Sequence, residues 1–186
     1  ALAKKGSLEE LARNARLDFL FQLAKRLKVK KIALGHNLDD QAETVLMRIL
    51  RGAGLYGLSA MLPKRNISGF EIIRPLIEIK RKDIEAFLKK RKIKPCRDST
   101  NLEDIYFRNR LRNKLLPLLE REYNRNIKAV LSNMAEAVGY DYDYLIRQAE
   151  LKKKQLGAKI NLDKLSKLHP AIQRLVLRLN IAGLKG

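Results

Sequence analysis

The sequence predicts an α/β fold: a Rossmann-like parallel sheet with flanking helices, incomplete as it stands, followed by a smaller, mainly helical domain. Three observations predict it. A helical repeat, a short apolar run closed by glycine and a second helical repeat follow one another within the first 50 residues, the order of a parallel α/β layer. Hydrophobic residues make up 46% of the 186 residues, enough to build a packed core. Beyond the break at Asn124-Arg125-Asn126, helical spacing dominates. That break divides the chain into residues 1–120 and 121–186.

Each element has a local reason. Ser7-Leu8-Glu9-Glu10 is a capping box, and Leu8, Leu11, Ala15, Phe19, Leu23 and Leu27 recur at helical spacing behind it. Residues 29–35, ending in Ile32-Ala33-Leu34-Gly35, read as a buried strand. A helix from about Asp39 to Leu50 presents Ala42, Val45, Leu46 and Ile49 to a core, and Gly52 ends it. Residues 52–63 are a glycine-rich loop. Residues 67–73, broken by Ser68-Gly69, read as a hairpin or edge strand. Helices follow at about 82–91, capped by Asp83 or its predecessors, and at about 106–119, with a polar loop at 94–101 between them. Past the break come a long helix to about Gln155, a strand at 159–162, and a last helix opened by Asp163 or His169-Pro170, with Leu175, Val176 and Leu179 inside.

Charge narrows the function. Forty Lys and Arg against 20 Asp and Glu give a net charge of +20, far more than solubility requires, so a polyanion is the expected partner. No stretch is apolar for long enough to span a bilayer, and the N-terminus is not a signal peptide. The basic residues are spread along the whole chain rather than gathered on one amphipathic helix, which favours nucleic acid over a membrane surface. Cys96 is the single cysteine. It can form neither an internal disulfide nor a CxxC metal or iron–sulfur site, so a reducing cytoplasm is the expected compartment. With no Trp and 6% aromatic residues, binding of single strands mainly by base stacking is disfavoured.

Two segments carry chemistry. His36-Asn37-Leu38-Asp39-Asp40-Gln41-Ala42-Glu43-Thr44 lies where a strand ends and a helix begins, the place where open α/β sheets bind ligands. Asp40 and Glu43 are three apart and share a helical face, able to hold a cationic amine or a magnesium ion. His36 leaves the strand toward the same crevice. The plainer alternative is that Asp39 and Asp40 cap the helix and that His36 is a turn residue. The second segment is Asp98-Ser99-Thr100-Asn101 followed by Tyr106-Phe107-Arg108-Asn109-Arg110-Leu111-Arg112-Asn113. Arg108 and Arg112 share one face, with Leu111, Leu115, Leu118 and Leu119 opposite. Guanidinium groups at that spacing suit the phosphates of ATP or RNA, and no acid sits at matching positions along the helix. The alternative is a solvated face. Arg16 interrupts the apolar side of the first helix, where a lone Arg more often snorkels than catalyses.

In order, the His36 to Thr44 segment, Arg51-Gly52-Ala53-Gly54, Leu58, Arg74-Pro75-Leu76, Asp98 to Asn101 and Tyr106 to Arg112 closely resemble the bacterial tRNA(Ile)-lysidine synthetases, from about residue 7 to 120. The resemblance implies an N-type ATP pyrophosphatase domain with a smaller helical domain that helps hold tRNA. It implies an ATP-dependent ligase that adenylates C2 of the wobble cytidine of an isoleucine tRNA with a CAU anticodon. Free L-lysine then displaces AMP. On this reading Asp40, Arg108 and His36 are catalytic, and Asp40, Glu43 and Arg16 bind lysine. His36, Arg16, Arg108 and Arg112 bind ATP, and Arg108, Arg110 and Arg112 bind tRNA. Asp39 or Asp40 holds magnesium. A homodimer is a further expected assembly.

One departure stands out. The family's phosphate loop, Ser-Gly-Gly-x-Asp-Ser on a first strand, is absent, and Gly52-Ala53-Gly54 follows a helix and lacks the serines. The chain is therefore expected to be a piece of a longer protein and inactive alone. Two other readings compete: a tRNA thiolase of the same ATP pyrophosphatase group, and a non-catalytic basic RNA-binding module.

Overall fold

The computed structural model describes residues 8–96, 106–157 and 160–183. They fall into two compact units: Ala1–Gln41 with Met61–Ser99, and Ala42–Ala60 with Thr100–Gly186. Ser7, Asp98, Ser99, Thr100 and Asn101 lie outside the described residues.

The first unit is built on a three-stranded sheet. Helix α1 (Leu8–Arg26) leads into β1 (Lys31–Ala33), and β2 (Lys64–Ile67) and β3 (Phe70–Ile73) form a hairpin. The sheet order is β1-β3-β2, with β1 parallel and β2 antiparallel to β3. Ser68 and Gly69 both have positive φ (52° and 82°), as a tight two-residue hairpin turn demands. Side chains alternate across a strand, so Ile32, Ile72 and Phe70 point to one face, where they pack with Ala24, Leu20 and Phe21 of α1. The parallel β1–β3 pair and its covering helix form the α/β layer expected from the sequence.

Two sequence expectations fail here. β1 is a three-residue strand at the edge of the described sheet with only Ile32 buried, not a fully buried strand. Leu11 and Phe19 on α1, and Leu27 just past its end, are 57–62% exposed. That helix is apolar on more than one stripe, and periodicity alone selects the wrong one. The stripe through Leu20 and Ala24 is buried because it meets Ile32 and Phe70.

Helix α2 (Leu38–Leu50) follows β1, and α4 (Arg81–Lys90) follows the hairpin. The second unit contains the later part of α2 and α3 (Leu55–Leu58), within the segment expected to be only a loop. It continues with α5 (Phe107–Arg110), a π-helical turn (Leu111–Leu115), α6 (Leu116–Glu122), α7 (Ile127–Leu156), α8 (Leu162–Ser166) and α9 (Pro170–Gly183). Ala42, Val45 and Leu46 of α2 join Leu111, Leu116, Leu131 and Ala135 in one core. Ile49, expected to join them, is 42% exposed. Because these α2 residues pack with α6 and α7, the compact units follow contacts rather than chain order. The break at 124–126 separates α6 from α7 inside one unit.

The π-turn has a local cause. Pro117 stands in the first turn of α6 and has no N–H to donate to the preceding turn, so the helix widens there. The extra residue rotates the apolar stripe: Leu111 and Leu116 are buried, and Leu118 is 41% exposed against expectation. Of the strand expected at 159–162, the described residues 160–162 form none. Asn161 instead caps α8, its side chain accepting from the Lys164 N–H. In α9, Val176 is fully buried against Ala149 and Leu165, as the last helical repeat predicts.

Candidate functional site

In the first unit, His36, Asp39 and Asp40 gather at the carboxyl end of β1. Their placement follows from the way α2 begins. Asn37 caps it: the Asp40 N–H donates to Asn37 Oδ1 (3.0 Å), and the Asn37 N–H donates to Asp40 Oδ2 (3.1 Å). This reciprocal pair satisfies two donors that the helix start would otherwise leave open. The capping alternative for Asp40 is thus realised in the geometry, with Asn37 as the partner that sequence reasoning overlooked. Asp39 caps a different helix, its Oδ2 accepting from the Arg81 N–H at the start of α4 (2.8 Å). His36 is half-buried, with Nδ1 shielded from solvent.

Gln41, also overlooked, is 5% exposed and pins the chain at Met61 in both directions. Its Nε2 donates to Met61 O (3.2 Å) and its Oε1 accepts from Met61 N–H (3.0 Å).

The second unit holds the other candidate acid. Glu43 is 1% exposed. Its Oε2 accepts from Arg108 Nε (2.8 Å) and from Arg112 Nη2 (2.9 Å), and its Oε1 accepts from Arg112 Nε (2.6 Å). Arg112 therefore grips the carboxylate side-on with two bonds, the strongest arrangement these groups make. In the helical run from Phe107 no acid stands three or four residues from either arginine, as expected. The partner comes from α2, 65 and 69 residues earlier in sequence. Asp40 and Glu43 thus have separate partners, although spacing puts them on one helical face.

The remaining candidates are exposed. Arg16 lies on the outside of α1. Arg110 projects over Phe107, whose ring also meets Arg51, with guanidinium carbons 5.6 and 5.5 Å from its centroid. In the first unit, Lys30, Lys31, Lys64 and Arg65 line a depression of about 490 Å³, with Lys31 paired to Glu71 (3.1 Å). Cys96 is exposed. Among the described residues no group of three or more His, Cys, Asp or Glu is placed to hold a metal ion, and no helix is long and apolar enough to cross a membrane.

Arg74, quoted in sequence only as part of a motif, is a buried charge of the first unit. It is 7% exposed, and burial first, then the nearby Arg13 and Arg65, push its pKa below the ordinary guanidinium range.

Comparison with known proteins adds to this geometry. Residues 1–119 match the PP-loop domain family. The chain is 40% identical to a tRNA(Ile)-lysidine synthase of Clostridioides difficile over 187 aligned residues, covering 97% of this chain and 40% of the relative. It is 42% identical to the protein of that name from Clostridium acetobutylicum, covering 81% and 32%. The chain therefore spans at most about 40% of the length of these relatives. Among solved structures, it is similar to the U34-tRNA thiolase NcsA from Methanococcus maripaludis with its [4Fe-4S] cluster. The TM-score is 0.55 at 20% identity, over 75% of this chain and 46% of that one. This likeness concerns the fold.

Proposed function

The chain belongs to the PP-loop family, and from that premise we propose that it is part of an ATP-dependent ligase that joins lysine to C2 of the wobble cytidine of an isoleucine tRNA. One observation carries the reading: the His36 to Thr44 segment stands at the carboxyl end of a strand in a parallel α/β pair, in a chain about 40% identical to proteins named for that product.

In the first unit, Asp40 supplies negative charge for the ammonium groups of lysine. His36 and Arg16 serve ATP and the adenylated cytidine, and Arg16 also assists lysine. Magnesium commonly binds through one or two carboxylates together with substrate phosphates. Asp39 and Asp40 fit that modest requirement, and the magnesium would supply charge neutralisation at the phosphates of ATP. In the second unit, Arg108, Arg110 and Arg112 meet phosphates of tRNA or ATP. Glu43, already gripped by two arginines, serves first to hold Arg108 and Arg112 in place. A buried carboxylate committed to two cations is poorly disposed to bind a third, so the lysine role considered for Glu43 passes mainly to Asp40. Developing negative charge on pyrophosphate and AMP is what fixed guanidinium groups stabilise best.

The thiolase reading has less support, because the likeness to the thiolase is one of fold while the relatives at about 40% identity carry the synthase name. The test is pyrophosphate release by the full-length protein, measured with tRNA and with or without lysine. Lysine incorporation into tRNA is expected, and sulfur transfer in its place would overturn the proposal. Within that assay, Asp40→Asn should raise the KM for lysine about ten- to a hundredfold, the cost of losing a charged hydrogen bond. The KM for tRNA should barely move. An unchanged lysine KM would leave Asp40 with its capping role alone.

A further inference from the structure

Arg74 follows β3 immediately, so it stands at the carboxyl end of that strand, beside the end of β1 that carries His36 and Asp40. Its Nη1 donates to Leu62 O (2.6 Å). Its Nε is buried and has no hydrogen-bond partner among the described residues. A buried guanidinium edge in that state carries the full loss of its hydration.

The groups around it increase the cost. Arg65 faces Ile72 across the β2–β3 ladder, and Arg74 is two residues past Ile72. Alternation therefore puts both side chains on the sheet face that α1 covers. On α1, Arg13 continues the stripe of Leu17, Leu20 and Ala24, spaced four, three and four residues apart. A four-residue connection turns α1 back into β1, so the Arg13 end of the helix lies toward the carboxyl ends of the strands. Three guanidinium groups from three elements of one unit converge there. Among the described residues, Arg74 has no carboxylate partner.

We propose that Arg74, with Arg13 and Arg65, forms a phosphate-binding site at the carboxyl end of β3. A planar guanidinium whose sheltered Nε has no partner among the described residues matches the paired oxygens of a phosphate, and two exposed arginines beside it suit a ligand of more than one negative charge. The phosphate comes either from a nucleotide polyphosphate or from an RNA backbone. The assignment rests on the proposed function only for that source, since the site does not depend on lysine chemistry.

The experiment measures binding of inorganic pyrophosphate by calorimetry, and of unmodified tRNA by fluorescence anisotropy, to the 186-residue chain and to its Arg74→Gln, Arg65→Gln and Arg13→Gln variants. Circular dichroism checks that each is folded. Arg74→Gln should weaken pyrophosphate binding about ten- to a hundredfold. The two exposed variants should weaken it by smaller factors, and they carry the test should Arg74→Gln fail to fold. If tRNA affinity falls in parallel and pyrophosphate competes with tRNA, the site takes backbone phosphate. If tRNA affinity is unchanged while pyrophosphate binding falls, the site takes a polyphosphate. Wild-type affinity for both probes in every folded variant overturns the proposal. Pyrophosphate binding requires no turnover, so its failure is read separately from any failure of lysine ligation in the full-length protein.

Discussion

Two clusters of arginine, one in each unit, solve the problem of a sheltered cation in opposite ways. Around Glu43, Arg108 and Arg112 are about a quarter exposed and share a carboxylate that is nearly inaccessible. Charge is compensated within the fold. Around Arg74, one carbonyl oxygen is the hydrogen-bond partner and the neighbouring charges are cations. Charge is left for something else to compensate. The first arrangement holds arginines in a fixed geometry, and the second gives an anion a reason to bind. An arginine's position in a motif does not distinguish these cases; its partner does.

The largest expected effect breaks the first cluster. Glu43→Gln removes the charge that two guanidinium groups were folded around, and uncompensated sheltered charge is costly. Urea unfolding should show a loss of about 3 kcal/mol. A loss of only a few tenths would mean that the pair behaves like an exposed one.

The same experiment on the second cluster should give a different answer. Arg74→Met deletes a charge that the fold does not compensate, at the cost of one bond to Leu62 O. The two terms offset, so stability should stay within about 1 kcal/mol of wild type. The pH dependence follows from the sign of the shift. The folded state binds this proton less tightly than the unfolded state, so the penalty is fully present below the folded pKa. It is relieved only as pH rises through that value in the alkaline range. The difference between variant and wild type should therefore be flat across neutral pH. A loss matching that of Glu43→Gln would reveal a counter-charge on Arg74 and erase the contrast.

A smaller effect sharpens the comparison from the acidic side. Asp39 is a carboxylate of the same α2 segment, but its bond to the Arg81 N–H is exposed. Asp39→Ala should cost about 1 kcal/mol, the usual value of a helix cap. A cost equal to that of Glu43→Gln would mean that Asp39 does more than cap α4.

Much of the fold was legible because its signals are local. The Ser68-Gly69 turn, the start of α2 after β1, the length of α7 and the buried Val176 of α9 all follow from spacing and turn chemistry. The failures share one cause. The exposed stripe of α1, the solvent-facing Ile49 and the rotated Leu118 are choices between faces, and a face is chosen by what packs on it. Asn161 shows a smaller version: a short β-like run became a helix start because a capping side chain lay within it.

The candidate site divides along the same line. From the sequence alone came the basic character of the protein, its α/β class, the family resemblance and the segment from His36 to Thr44. These depend on composition and on order along the chain. Only the tertiary structure decided that Glu43 belongs to Arg108 and Arg112, that Asp40 is tied to Asn37 while Asp39 caps α4, and that Arg74 is buried among cations. Electrostatic roles depend on distances of about 3 Å between groups up to 69 residues apart in sequence, and spacing along a chain does not encode such distances until the chain has folded.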